Sequence, residues 1–216
     1  MAWEEEFKSN LLEVLYRADQ PRHPAGSPEG GRFAPASGGG VPATGSGLSL
    51  EAEAKVRSAE SEIVTSLVEI GVAFDKDGNE LFRVEGSVDK IYFDDDKAME
   101  LWGEVLTHNH PTGNATFSVQ DVLAAEALHL EEIRVVTDEY LCVLTKPEGG
   151  WRSFYTSPSG SGNQSLSKHI SDIRLDTFVE FAQRGGPTPT DAEVYHEMWT
   201  RVSKELDISY TRTQRR

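Results

Sequence analysis

The chain has 216 residues, with 36 acidic against 21 basic side chains and a formal net charge of −15. That length suits one ordinary domain with appendages, while the charge repels phosphate backbones and no Lys/Arg stripe is interrupted by aromatics, which argues against direct nucleic-acid binding and for solubility and basic partners. No stretch of about 18 apolar residues is present to cross a membrane, and the single cysteine, Cys142, excludes an intramolecular disulfide and reads as a small core hydrophobe rather than a metal ligand.

Residues 1–18 come first. Glu4–Arg17 carries Phe7, Leu11, Leu12, Val14 and Leu15 at helical spacing, an amphipathic helix expected to dock on a partner or on the domain. Four charged residues precede position nine and no apolar run follows, which is unlike a signal peptide. Residues 19–48 are dominated by Gly, Pro, Ala and Ser and hold too little apolar surface to offset ordering entropy, so they read as a flexible linker. His23 lies there without a second clustered ligand.

From residue 49 the pattern changes to alternating strands and helices. Glu69–Phe74, the polar cluster Asp75–Asn79 and Leu81–Val84 read as a hairpin. Ile91–Phe93 reads as a short strand. Asp94, Asp95 and Asp96 then cap a short helix through Leu101 and Trp102, with acid in its first turn as the helix dipole prefers. Gly103–His108 has strand character, and residues two apart on a strand share a face, so His108 and His110 can point together. Pro111 stops the strand and Pro111–Asn114 is turn chemistry. Ser118-x-x-Asp121 before Leu123–Leu128 is a helix capping signature with Asp in place of the usual Glu. Ile133–Thr137 and Tyr140–Leu144 read as paired strands around Asp138 and Glu139, and Trp151–Tyr155 as a last strand.

Ser159–Gln164 is a second Gly/Ser-rich break. In the segment 165–208, Leu166–Gln183 carries Ile170, Ile173, Leu175, Phe178, Val179 and Phe181, a helix ending at Gly185–Pro187. Another starts at Thr190 and runs through Trp199 and Val202 to about Leu206. The two form an appended hairpin for packing or partner binding, with His169 and His196 at its surface. The tail Thr211–Arg216 is too short to support nucleic-acid binding.

The chemistry is concentrated in fourteen residues, 108–121. His108, His110 and Asp121, with the hydroxyl of Ser118, describe three ligands of a catalytic zinc and a helper. Such a site needs neutral imidazoles and an ionised oxygen converging on one tetrahedral ion, its fourth position left for water. Taken singly, a His-x-His pair is more often an exposed loop pair and Ser-x-x-Asp only a cap. Their joint occurrence at this spacing points to a metal.

The run Thr107-His108-Asn109-His110-Pro111-Thr112-Gly113, followed by Ser118-Val119-Gln120-Asp121, resembles the JAB/MPN (JAMM) zinc metallopeptidase superfamily, closest to its bacterial RadC-like branch and to JAB-like domains of phage proteins. The resemblance covers residues 49–156, about half the chain, and implies an α/β (α+β) fold, a cytidine-deaminase-like mixed sheet flanked by helices. It further implies that His108, His110 and Asp121 hold Zn2+ while Ser118 helps polarise the substrate carbonyl or the attacking water. The family also carries a glutamate on an earlier strand, followed two residues on by Gly and then apolar residues. Val68–Asp75 fits, which makes Glu69 the expected general base. A carboxylate flanked by Val68 and Ile70 is costly unless partnered. Glu62, Glu80 and Glu104 are its rivals, Glu104 lying about 13 Å along the strand from His108.

The resemblance thus implies zinc-dependent hydrolysis of a peptide or isopeptide bond in a protein or peptide substrate. The run Gly30–Ala34 resembles linkers of phage head and capsid-assembly proteins, which extends the expectation to head assembly or protein processing in the cytoplasm of a bacterial or phage-infected cell. Two other functions stay open. An inactive JAB-like scaffold would bind a partner protein through the N-terminal helix or the C-terminal hairpin, although all four motif residues are present. A RadC-like nucleic-acid-associated role is opposed by the acidic balance.

Overall fold

Six short runs rich in β-branched, aromatic and aliphatic residues pair into one mixed sheet: β1 (Ile70–Phe74), β2 (Glu80–Glu85), β3 (Val105–Asn109), β4 (Glu132–Val136), β5 (Tyr140–Thr145) and β6 (Ser209–Gln214). The computed structural model describes residues 47–111, 116–148, 150–151, 166–184, 188–206 and 208–215. Strand order is β2-β1-β3-β4-β5-β6, antiparallel throughout except between β3 and β4. A parallel pair needs a crossover rather than a tight turn, and helix α3 (Val119–Ala127) supplies it. The other described helices are α1 (Leu50–Ile63), α2 (Asp95–Glu100), α4 (Leu166–Arg184) and α5 (Asp191–Leu206). The chain is therefore of the mixed α/β class expected. No helix among the described residues is long and apolar enough to cross a membrane.

Helix α1 is capped by Ser49, whose side chain accepts the Ala52 N–H. It buries Ala52, Val56, Ala59 and Ile63 against Val72 and Phe74 of β1, Val105 of β3, and Val136, Leu141 and Val143 beyond. Leu48, read as the end of the linker, is buried in the same cluster. Sequence reasoning assigned no helix here, because Glu53 and Glu60 interrupt the apolar stripe. Both are buried around Arg134 of β4, whose side chain is 0% exposed. The guanidinium bonds Glu60 at 2.6 Å, Glu132 at 2.6 Å and both oxygens of Glu53 at 2.8 Å. Glu60 also accepts the Thr107 hydroxyl at 3.1 Å, which ties the cluster to β3 one residue before His108.

The β1–β2 turn is built by Asp75, whose Oδ1 accepts the backbone N–H groups of Asp77 and Asn79. Gly78 takes φ +75°, and a Cβ there would lie 2.6 Å from the Ala52 Cα on α1. Gly78→Ala is therefore expected to destabilise the fold by about 1–3 kcal/mol through strain at positive φ, with steric conflict added, as measured by a lower urea midpoint.

Two sequence expectations are revised, the strand at 91–93 and the extent of the helix after Asp94. Ile91–Phe93 is not a strand: Ser87 N–H donates to the Lys90 carbonyl to close a turn, and Ile91 and Phe93 pack over Gly71 instead of joining a ladder. Ser209–Gln214, to which no element was assigned, is β6, paired with β5 from Thr145↔Ser209 to Tyr140↔Gln214. His196, expected at the surface, is half-buried with Nδ1 3.1 Å from the Tyr210 hydroxyl. The helix from Asp94 ends at Glu100, so Trp102 lies just past it. Cys142 is buried as expected. The helix over residues 1–18, the linker through residue 46, His23, most of the 111–114 turn, residues 152–155 of the last expected strand and the His169 side chain lie outside the described residues; Trp151 itself is buried, its indole donating to the Leu130 carbonyl.

Candidate metal centre

Three segments converge at the C-terminal end of β3. His108 is the fourth residue of that strand, and His110 follows its end with its backbone N–H still bonded to the Val136 carbonyl of β4. Asp121 comes from the first turn of α3. There Ser118 is the N-cap and a reciprocal capping box forms: Ser118 Oγ accepts the Asp121 N–H at 3.2 Å, and Asp121 Oδ2 accepts the Ser118 N–H at 2.6 Å. The box fixes the carboxylate before any ligand arrives, as caps fix helix starts generally. From the other side of β3, Glu69 enters at the start of β1.

The distances are those of a coordination shell. His108 Nε2 and His110 Nε2 lie 3.1 Å apart, His108 Nε2 is 3.4 Å from Asp121 Oδ1, and His110 Nε2 is 3.6 Å from Asp121 Oδ2. Ligands about 2.0–2.1 Å from a tetrahedral ion are separated by about 3.3 Å. Among the described residues these three form the group able to hold a metal ion. The chemistry of the donors agrees, because two imidazole nitrogens this close repel unless a proton or a cation lies between them. His108 and His110 are buried and Asp121 is mostly so.

Glu69 Oε1 lies 4.0 Å from His110 Nε2, and the Glu69 side chain is 12% exposed. Burial pushes its pKa up to about 7, against the favourable field of His108 and with the help of the Asp121 and Asp89 charges. In the metal-free protein burial opposes charge on His108, but Asp121 outweighs it and raises the imidazole pKa. Burial likewise works against Asp121, yet His108 and the other donors around it hold the carboxyl well below the usual carboxylate range. A cation held by these donors would displace the proton that the raised His108 pKa favours.

The rivals of Glu69 lie elsewhere. Glu62 and Glu80 pair with Arg83 on the exposed face of the β1–β2 hairpin. Glu104 precedes β3 at the end of the strand away from the histidines, and its pKa is raised by burial and by Asp75 and Glu131.

No family model, curated protein or solved structure matches this chain.

Two supporting residues escaped sequence reasoning. Asn109, 0% exposed, accepts the Ile70 N–H at 2.7 Å and donates to the Val68 carbonyl at 3.1 Å, on either side of Glu69. An Asn in a strand, where this residue is disfavoured, was the available signal. Trp199 of α5 is buried and its indole donates at 3.2 Å to the carbonyl of Phe117, the residue before Ser118. Phe117, Trp199 and Tyr210 stack edge to face or tilted around that bond. The α5 helix and β6 thereby brace the start of α3, a long-range contact that local spacing does not announce.

Proposed function

We propose that this protein is a zinc-dependent metallopeptidase of the JAB/MPN (JAMM) type that hydrolyses a peptide or isopeptide bond. The observation that carries the reading is the partly desolvated Glu69 carboxyl beside a buried His108–His110–Asp121 cluster with tetrahedral spacing. A structural metal site closes all four positions with protein ligands, whereas three ligands and a neighbouring carboxylate describe a hydrolytic one.

His108 and His110 through Nε2, and Asp121 through its carboxylate, would hold the ion. When bound, zinc supplies a Lewis acid and lowers the pKa of a water in its open position to about 7. Glu69 takes a proton from the attacking water and returns it to the leaving nitrogen, so that a poor amide leaving group departs as an amine. Ser118 uses its oxygen as an acceptor for the Asp121 N–H, which leaves its hydrogen to donate to the developing oxyanion. The buried apolar surroundings of β1 and β3 keep competing water away and strengthen each of these interactions.

The substrate class is tested by incubating bacterial or phage lysate with the zinc-loaded protein, the chelator-treated protein and the chelator-treated protein given zinc back. New peptide termini, mapped by mass spectrometry, are expected in the first and third samples only. The same termini in all three, or none in any, would remove the peptidase reading. Metal analysis of the purified protein identifies the ion.

A further inference from the structure

His108-Asn109-His110 places an amide between the two imidazoles, and that amide reaches the segment that carries Glu69. The β1–β3 ladder runs from Phe74↔Val105 to Gly71↔His108. One residue further on, the Asn109 side chain takes over. Its Oδ1 accepts the Ile70 N–H at 2.7 Å, and its Nδ2 donates to the Val68 carbonyl at 3.1 Å and reaches the Ser66 carbonyl at 3.5 Å. Along the opposite edge, the Glu69 N–H donates to the Ser87 carbonyl at 2.7 Å and the Gly86 N–H donates to the Glu69 carbonyl at 2.8 Å. Alternation along an extended chain explains the division: the backbone groups of residues 68 and 70 face β3, those of residue 69 face the β2 side, and the Glu69 side chain stands out of the sheet.

We infer that Asn109 is a positioning residue for the proposed hydrolysis, holding the Glu69 carboxylate at the His108–His110–Asp121 cluster while taking no part in metal binding. The inference rests on the metallopeptidase reading. Strand alternation sets the Asn109 side chain apart from the face of His108, where it serves the backbone of residues 68 and 70 on either side of Glu69 and not the ion. The residue type follows from the task, since one short side chain must both accept an N–H and donate to carbonyls. Serine has too few donors, and aspartate would set a negative oxygen against the Val68 and Ser66 carbonyls. Truncation would leave the part-buried Ile70 N–H without the Asn109 acceptor and the Val68 carbonyl with the Ser66 hydroxyl, at 2.8 Å, in place of two donors. A general base must stand within hydrogen-bond reach of the proton it takes, and small misplacements at such sites cost large factors in rate.

The test compares the zinc-loaded wild type, Asn109→Asp, Asn109→Ala and Glu69→Gln on one tryptic peptide library. Asn109→Asp keeps the size and the Ile70 acceptor and guards against a failure of Asn109→Ala to fold. Both Asn109 variants are expected to lose about 10- to 100-fold in kcat per bound zinc, the usual scale for groups supporting a metal site, with KM within about twofold. Amide exchange should accelerate at residues 68–70 and stay unchanged across Val105–His108. An unchanged kcat per zinc, a loss of activity fully explained by lost zinc, or unaltered exchange at 68–70 would overturn the positioning role. Retained turnover in Glu69→Gln would instead remove the hydrolytic reading on which it rests.

Discussion

Glu69→Gln is expected to keep zinc near one per chain while kcat falls by at least about 10²- to 10⁴-fold, the usual contribution of a positioned acid–base group. Zinc analysis and the rate of peptide cleavage read the two halves of this result. The amide keeps the shape of the carboxyl but cannot accept and return a proton, so loss of turnover with full metal assigns the proton transfer to Glu69. Loss of zinc in the same variant would make Glu69 a ligand or a fold residue. The metal-free protein offers a second readout. Burial raises the Glu69 pKa from 4.5 to about 7, so the folded state binds the extra proton more tightly than the unfolded chain. That contribution is fully present below pH 4.5 and is lost as pH rises through about 7. Metal-free wild type should therefore lose stability relative to Glu69→Gln across that window, and added zinc should abolish the difference.

Arg134→Met is expected to cost about 3–5 kcal/mol, the scale for removing one partner of a buried ion pair. It removes the cation that Glu53, Glu60 and Glu132 share, while Arg57 still bonds Glu53 at 2.6 Å. Urea denaturation measures the loss. Adding Glu53→Gln, Glu60→Gln and Glu132→Gln to Arg134→Met should recover part of it, because the uncompensated charges rather than the missing hydrogen bonds dominate; an undiminished loss would refute that account. Acid probes the same cluster from the other side. Burial disfavours the Glu53 carboxylate, but the bonds to Arg134 and Arg57 more than offset this and lower its pKa from 4.5 to about 2. The stability it contributes is present above pH 4.5 and is lost as pH falls through about 2.

The clustering of His108, His110 and Asp121 was legible because it is local. His108 and His110 are two apart and Asp121 sits in a capping box whose signature is four residues long, so strand and cap geometry alone bring them close. Glu69 was legible only through the JAB/MPN resemblance, since its approach to His110 depends on the pairing of β1 with β3. What escaped was either masked by charge or carried by distant pairing. Glu53 and Glu60 hid α1 by occupying its buried face, and their partner Arg134 stands 81 and 74 residues away. Ser209–Gln214 has little apolar patterning and becomes a strand because the edge of β5 offers it a ladder. Ile91–Phe93 erred in the opposite direction, as its strand-like residues serve to cover Gly71.

Asp121 divides its two oxygens between two tasks, Oδ2 on the Ser118 N–H and Oδ1 toward His108. The division has a consequence for how the ion comes and goes. Because the carboxylate is oriented by the peptide chain and not by the cation, an empty centre keeps its shape, unlike a zinc finger, which collapses without its metal. Under the proposed function, exchange of the ion would be a loading step on a finished scaffold, and stripping it is expected to silence the protein reversibly.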